Sequence, residues 1–207
     1  MAAATVVFVV DDDRSVRKSL TRLIASAGYA VEAFASAREF LERPPAMGPC
    51  CLVLDVRMSE MTGLDLQKML AQAVHRIPIV FITGHGDVSM SVTAMKAGAV
   101  DFLTKPFDGK DLLGAIQRAV AKDTRERGTE ARAGEVQARV GMLTPREKQV
   151  FALVVTGMLN KQIASELRIG EGTVKVHRAR VMDKMQASSV AELVRLADLV
   201  GVIVTKA

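Results

Sequence analysis

Cys51-Leu52-Val53-Leu54-Asp55-Val56-Arg57 is an apolar run too short for a globular helix and filled with Val and Leu. Such a run reads as a fully buried strand, and this one ends on a carboxylate. In an open α/β sheet, ligands and chemistry collect beyond the carboxyl ends of the strands. Three other runs stop on reactive groups in the same way. Residues 5–10 lead into Asp11-Asp12-Asp13, residues 78–82 into Thr83-Gly84, and residues 99–103 into Thr104-Lys105-Pro106. If these strands lie parallel, an acidic cluster, a lone carboxylate, a hydroxyl and an amine meet at one edge.

Working outward, helical spacing fills the intervals. Val16, Leu20, Leu23 and Ile24 make one helix, stopped at Gly28. Residues 36–42 make a short one before Pro44-Pro45. Leu64, Leu66, Met69 and Leu70 make a third, 87–97 a fourth ending at Gly98, and 109–121 a fifth. With a further strand at 29–34, five strands alternate with five helices. This predicts a doubly wound α/β domain over residues 1–121, with a five-stranded parallel sheet covered on both faces and right-handed connections. Residues 122–141 are mixed in charge, poor in large apolar side chains and carry Gly128, Gly134 and Gly141. They read as an interdomain linker, helical in part because Ala, Glu and Arg are good helix formers.

The remaining segment, 142–207, is helical throughout. In Leu143-Thr144-Pro145-Arg146-Glu147, Thr144 suits an N-cap, Pro145 the first helical position, and Glu147 completes a capping box. Helices are expected at 145–156, 160–167, 171–185 and 189–200, with breaks at Gly157 and Gly170. Asn160-Lys161-Gln162-Ile163-Ala164, the break, and Thr173-Val174-Lys175-Val176-His177-Arg178 suggest a helix-turn-helix, whose second helix enters the major groove. Val174, Val181 and Met185 have inward spacing, which leaves Lys175, Arg178 and His177 outward. Lys161 and Lys184 would suit phosphates. Glu147 reads as structural, and Met182 and Met185 as core fillers.

Composition narrows the function class. The 207 residues are 49% hydrophobic and 25% charged, ordinary for a globular chain. No apolar stretch is long enough for a bilayer, and no secretory start is visible, so a cytoplasmic protein without a membrane partner is expected. Residues 1–120 hold 13 Lys/Arg and 13 Asp/Glu, whereas 121–207 hold 15 and 10. The basic second part suits a polyanion. Cys50 and Cys51 are adjacent, a poor arrangement for a structural disulfide, and read as core thiols. The three histidines are too scattered for a metal cluster, and His85 reads as a loop residue rather than an acid–base catalyst.

Asp11, Asp12 and Asp55 would repel one another unless a cation sat among them. Carboxylates and waters match Mg²⁺, which neutralises charge on a phosphoryl group, and a carboxylate can be the nucleophile that becomes an acyl phosphate. The Asp-Asp pair after strand one, Asp55 after strand three, Thr83, Lys105-Pro106, and Phe102 three before the lysine resemble the receiver domain of two-component response regulators. Thr83-Gly84-His85-Gly86-Asp87-Val88 and Ala94-Met95-Lys96-Ala97-Gly98-Ala99 resemble the FixJ/NarL class, FixJ-like members in particular. Residues 142–207, with Ser188-Ser189-Val190-Ala191-Glu192-Leu193, resemble the LuxR-type four-helix DNA-binding domain.

The resemblance implies a flavodoxin-like receiver of strand order 2-1-3-4-5. Asp55 would accept a phosphoryl group from a sensor histidine kinase, and Asp11, Asp12, Asp55 and the Arg57 backbone carbonyl would hold Mg²⁺. Lys105 would contact the phosphoryl group, the Lys105-Pro106 bond would be cis, and Thr83 and Phe102 would form the switch. It also implies a homodimer when phosphorylated, formed through the fourth helix and fifth strand (87–103). Asn160, Lys161, Thr173, Lys175, Val176, His177, Arg178 and Lys184 would meet double-stranded promoter DNA, with RNA polymerase a further partner. One position departs from the family pattern: after Arg57-Met58, where proline is usual, stands Ser59. Two rival readings remain open. An aspartyl-phosphate phosphohydrolase would have an Asp-x-Asp pair, but Arg57 stands two after Asp55. A DNA-binding protein independent of phosphorylation would not need the complete acidic pocket.

Overall fold

The computed structural model describes residues 4–72, 76–84 and 88–202. The expectation for His85 and the first residue of the expected helix 87–97 lie outside them. The chain divides into two compact units, residues 1–127 and 128–207.

In the first unit, β1 (Val6–Val10), β2 (Ala30–Phe34), β3 (Cys50–Asp55), β4 (Ile79–Thr83) and β5 (Asp101–Thr104) form one sheet of order β2-β1-β3-β4-β5. All pairings are parallel, as expected. Interleaved are α1 (Arg14–Ser26), α2 (Ala37–Glu42), α3 (Gly63–Leu70), α4 (Val88–Lys96) and the start of α5 (Gly109–Gly141). Every residue of β3 and β4 is buried, whereas the edge strands β2 and β5 are partly open. Central strands of a parallel sheet are covered on both faces, which is why theirs are the unbroken apolar runs.

Alternate strand residues feed two cores. Val7, Val9, Cys51, Val53, Val80 and Ile82 pack with Leu20 and Ile24 of α1 and Leu112 and Ile116 of α5. Phe8, Val10, Leu52, Leu54 and Phe81 face the other way, onto Phe40, Leu66 and Ala94 of α2, α3 and α4. Both cysteines are free and buried, one on each side.

The register levels the carboxyl ends. Val10 pairs with Leu54, Asp55 with Ile82, and Thr83 with Thr104, so residues 11, 55, 83 and 105 emerge at one edge. The Lys105-Pro106 bond is cis, as the resemblance implied. Gly63 begins α3 tight under the end of β3: its amide donates to the Val56 carbonyl at 2.9 Å. A Cβ there would run into the Asp55 carbonyl oxygen and crowd Leu54 and Phe81 at 3.1 Å.

The segment expected as a linker, 122–141, is helical along its whole length within α5. Each glycine costs a helix roughly 1 kcal/mol relative to Ala, and the many Ala, Glu and Arg residues offset it. Tertiary anchors help as well. Asp123, fully buried, accepts from the Cys50 amide at 2.8 Å and from Arg127 Nε at 2.7 Å. Arg127 also reaches the Ala46 carbonyl at 3.4 Å. A buried carboxylate needs such partners.

The second unit contains α6 (Pro145–Val155), α7 (Asn160–Leu167), α8 (Glu171–Met185) and α9 (Val190–Leu199). Val150, Phe151 and Val154 of α6 pack with Ile163, with Val174, Val181 and Met185 of α8, and with Leu193 and Leu196. Thr144 and Glu147 make the anticipated capping box. The break between α7 and α8 falls at Gly170 as expected: Arg168 closes α7 in the left-handed conformation, with φ 52°, and Gly170 serves as the N-cap of α8 with φ −68°.

No helix among the described residues is long and apolar enough to cross a membrane.

Candidate functional site

The loop after β1 delivers Asp11 and Asp12, the end of β3 delivers Asp55, and the loop after β5 delivers Lys105. Carboxylate oxygens of the three aspartates lie within 4.8 Å of one another. Asp11 and Asp55 are buried, at 1% and 7% exposure, while Asp12 is open. Lys105 Nζ donates to Asp11 Oδ2 at 2.8 Å and to Asp55 Oδ1 at 3.4 Å. Asp13, which caps α1, gives its amide to Asp11 Oδ1 at 2.8 Å. Arg17 Nη1 holds the Asp11 carbonyl at 2.7 Å.

Three carboxylates against one ammonium leave the cluster short of positive charge. Burial pushes the Asp55 carboxyl up to about 6, and the charges of Asp11 and Asp12 add to this against the pull of Lys105. Burial would lower Lys105, but its hydrogen bonds and ion pairs with Asp11 and Asp55 prevail and raise it. The donor set is hard oxygen with room for water on the Asp12 side, and it fits Mg²⁺.

Thr83 ends β4 fully buried, and its carbonyl accepts from the Lys105 amide at 2.7 Å. Phe102 is half-buried, its ring 6.1 Å from that of Phe81. Arg57 lies exposed just past the end of β3. Of the receiver residues singled out from sequence, Asp11, Asp12, Asp55 and Lys105 gather at one sheet edge and Thr83 ends the neighbouring strand, while Phe102 lies within β5 opposite Phe81.

The second unit carries a different surface. On α8, Val174, Val181 and Met185 are fully buried. Thr173, Lys175 and Val176 are exposed, with Lys175 Nζ 3.7 Å from Glu171. Lys161 is exposed at the start of α7. Arg178 is half-buried and donates to Asn160 Oδ1 at 2.9 Å, bracing α8 against α7. His177 is half-buried, and its Nδ1 lies buried without a hydrogen-bond partner. Lys184 is turned back into the fold: its Nζ meets the buried Glu147 at 2.7 Å and the Met142 carbonyl at 3.2 Å. A phosphate would have to compete with that carboxylate for it. Sequence reasoning passed over Arg180, which is exposed on α8. Its spacing of seven from Thr173 and four from Val176 puts it on their face, and that spacing could have found it.

The sequence was compared with known families and proteins. The response regulator receiver domain matches residues 7–117, and the bacterial regulatory proteins of the luxR family match 141–197. Nodulation protein W of Bradyrhizobium diazoefficiens is 48% identical over 197 residues, 95% of this chain and 87% of that protein. The transcriptional regulatory protein FixJ of the same organism is 44% identical over 197 residues, covering 95% and 96%. The solved structure of the response regulator StyR aligns with a TM-score of 0.83 at 47% identity, over 95% of this chain and 99% of that one.

Proposed function

This chain belongs to the response regulators that join a receiver domain to a LuxR-type DNA-binding domain, and from that premise we propose that phosphorylation of Asp55 controls its binding to DNA. The family is one of transcriptional regulators rather than metabolic enzymes. The observation that carries the proposal is the meeting of Asp11, Asp12, Asp55 and Lys105 at one sheet edge.

In this reading Asp55 Oδ attacks the phosphorus of a phosphohistidine on a sensor kinase. The P–O bond forms as the P–N bond breaks, and the imidazole leaves. Asp11, Asp12, Asp55 and the Arg57 carbonyl would hold Mg²⁺, which when bound neutralises phosphoryl charge. Lys105 moves from the carboxylates toward the new phosphoryl oxygens. The Thr83 hydroxyl follows, and the Phe102 ring turns inward to fill the space.

That change shifts a two-state receiver toward a dimer-forming state. The face of α4 supports this: Val88, Val92 and Met95 share one side and are 80%, 44% and 45% exposed. Dimerisation brings two α8 helices to neighbouring half-sites and turns weak binding into usable affinity. Thr173, Lys175, Val176 and Arg180 on α8, with Lys161 on α7, face the DNA; Asn160 and Arg178 brace the two helices while lying near it with His177. Lys184 is assigned to Glu147 instead. Residues 122–141 link the receiver to the DNA-binding domain, the protein works in the cytoplasm, and promoter-bound dimers meet RNA polymerase.

The test measures dimerisation and DNA binding with and without beryllofluoride and Mg²⁺, beside Asp55→Ala. Both should rise in the parent and stay flat in the variant. Equal binding by the two proteins with no response would mean DNA binding independent of phosphorylation.

A further inference from the structure

The three aspartates of the cluster are held differently. Asp11 uses both carboxylate oxygens within the protein, one on the Asp13 amide and the other on Lys105. Asp55 is buried and faces the same lysine. Asp12 is exposed, and its Oδ2 accepts a 3.1 Å hydrogen bond from the backbone N–H of Ser59, 47 residues away in the loop that leaves β3. The donor is a main-chain amide, so residue 59 can supply it only because it is not proline, which has no N–H. Proline is what the family pattern has at this position.

An exposed carboxylate is otherwise free to turn about χ1 and χ2 into solvent. A donor that fixes one oxygen restrains both torsions and so the whole carboxylate, one oxygen of which lies within 4.8 Å of those of Asp11 and Asp55. Carboxylates that ligate metals are commonly held this way by neighbouring hydrogen bonds. We propose that Ser59 is a positioning residue: its backbone amide orients Asp12 for the cation, and its hydroxyl takes no part. This rests on the reading of the cluster as the Mg²⁺ site.

Titration calorimetry of Mg²⁺ into the full chain tests it, with Ser59→Pro, Ser59→Ala, Asp12→Asn and the Ser59→Pro/Asp12→Asn double variant. Ser59→Pro should weaken Mg²⁺ about tenfold, the lower end of what such partners contribute, while Ser59→Ala, which keeps the amide, matches the parent. In the Asp12→Asn background the proline should change little, because the two act through one contact. In the parent, the Ser59 amide resonance should move when Asp12 becomes Asn, a readout that does not depend on the proline variant folding. The proposal is overturned if Ser59→Pro binds Mg²⁺ like the parent, if it weakens binding equally without Asp12, if Ser59→Ala behaves like Ser59→Pro, or if the amide resonance stays still. A parent that takes up no Mg²⁺ overturns the metal reading itself, and this proposal with it.

Discussion

Two carboxylates in this chain are shifted in opposite directions, and their pH signatures differ accordingly. The hydrogen bond from Lys184, then that of the Thr144 amide, draws the Glu147 carboxyl from its ordinary 4.5 to about 2. A carboxyl depressed in the folded state adds stability that is complete above its unfolded value and lost as the pH falls through the folded one. Glu147→Gln should therefore lower the denaturant midpoint of the DNA-binding unit at pH 7, with the gap to the parent closing between about 4.5 and about 2. Lys184→Ala should do the same. Asp55 has the other sign. Its carboxyl is raised from 3.8 to about 6, by burial first, so its favourable contribution is complete below 3.8 and lost as the pH rises through 6. Without Mg²⁺, Asp55→Asn should raise the receiver's unfolding temperature at neutral pH, and the gain should vanish toward pH 4. A variant less stable than the parent at pH 7.5 would sink this account.

At the scale of elements, two glycines show what a missing Cβ can mean. Gly63 lets α3 start directly beneath the Asp55 carbonyl. Gly63→Ala should cost about 1–3 kcal/mol, as overpacking does, and blunt the beryllofluoride response by displacing the end of β3. Gly134 meets nothing within 4 Å where a Cβ would be and lies exposed inside α5. Gly134→Ala should stabilise the second unit by about 0.5–1 kcal/mol, read from its thermal transition, and a loss would mean that this stretch is not helical in solution. The contrast also explains what was legible beforehand. Strands β1, β3 and β4 announced themselves because burial on both faces demands unbroken apolar runs, which here give way to a polar side chain at Asp11, Asp55 and Thr83. The start of α6 was legible because Thr144, Pro145 and Glu147 act within one turn. The helix through 122–141 was legible only in part, since its Ala, Glu and Arg favour a helix while Gly128 and Gly134 argue locally for a break and Asp123 is anchored 73 residues away at Cys50. The ion pair of Lys184 was not legible for a related reason: its partner Glu147 is 37 residues distant, outside any local window. The departure at Ser59 was visible as a departure, but the bond to Asp12 that it permits was not.

Over the whole molecule, charge divides as the sequence suggested, with a neutral receiver sequence and a basic remainder. The division matters only where cations are free to meet phosphates. Lys161, Lys175 and Arg180 are exposed, whereas Lys184 is committed to Glu147. Net charge counts these residues equally, but DNA does not. Each phosphate neutralised releases counterions and steepens the fall of log K with log salt by about 0.9. Lys161→Ala, Lys175→Ala or Arg180→Ala should each flatten that slope by about 1 while weakening binding to all sequences alike. Lys184→Ala removes the same formal charge, but it should leave the slope of the folded protein unchanged and show itself in unfolding instead. Val176→Ala carries no charge and removes methyl groups from the exposed face of α8. It should leave the slope alone and reduce discrimination between operator and random DNA, because apolar contacts read base edges rather than phosphates. Salt titrations on one specific and one random duplex separate all three outcomes. If Lys184→Ala flattens the slope as Lys175→Ala does, the ion pair with Glu147 yields to DNA, and Lys184 belongs with the phosphate contacts after all.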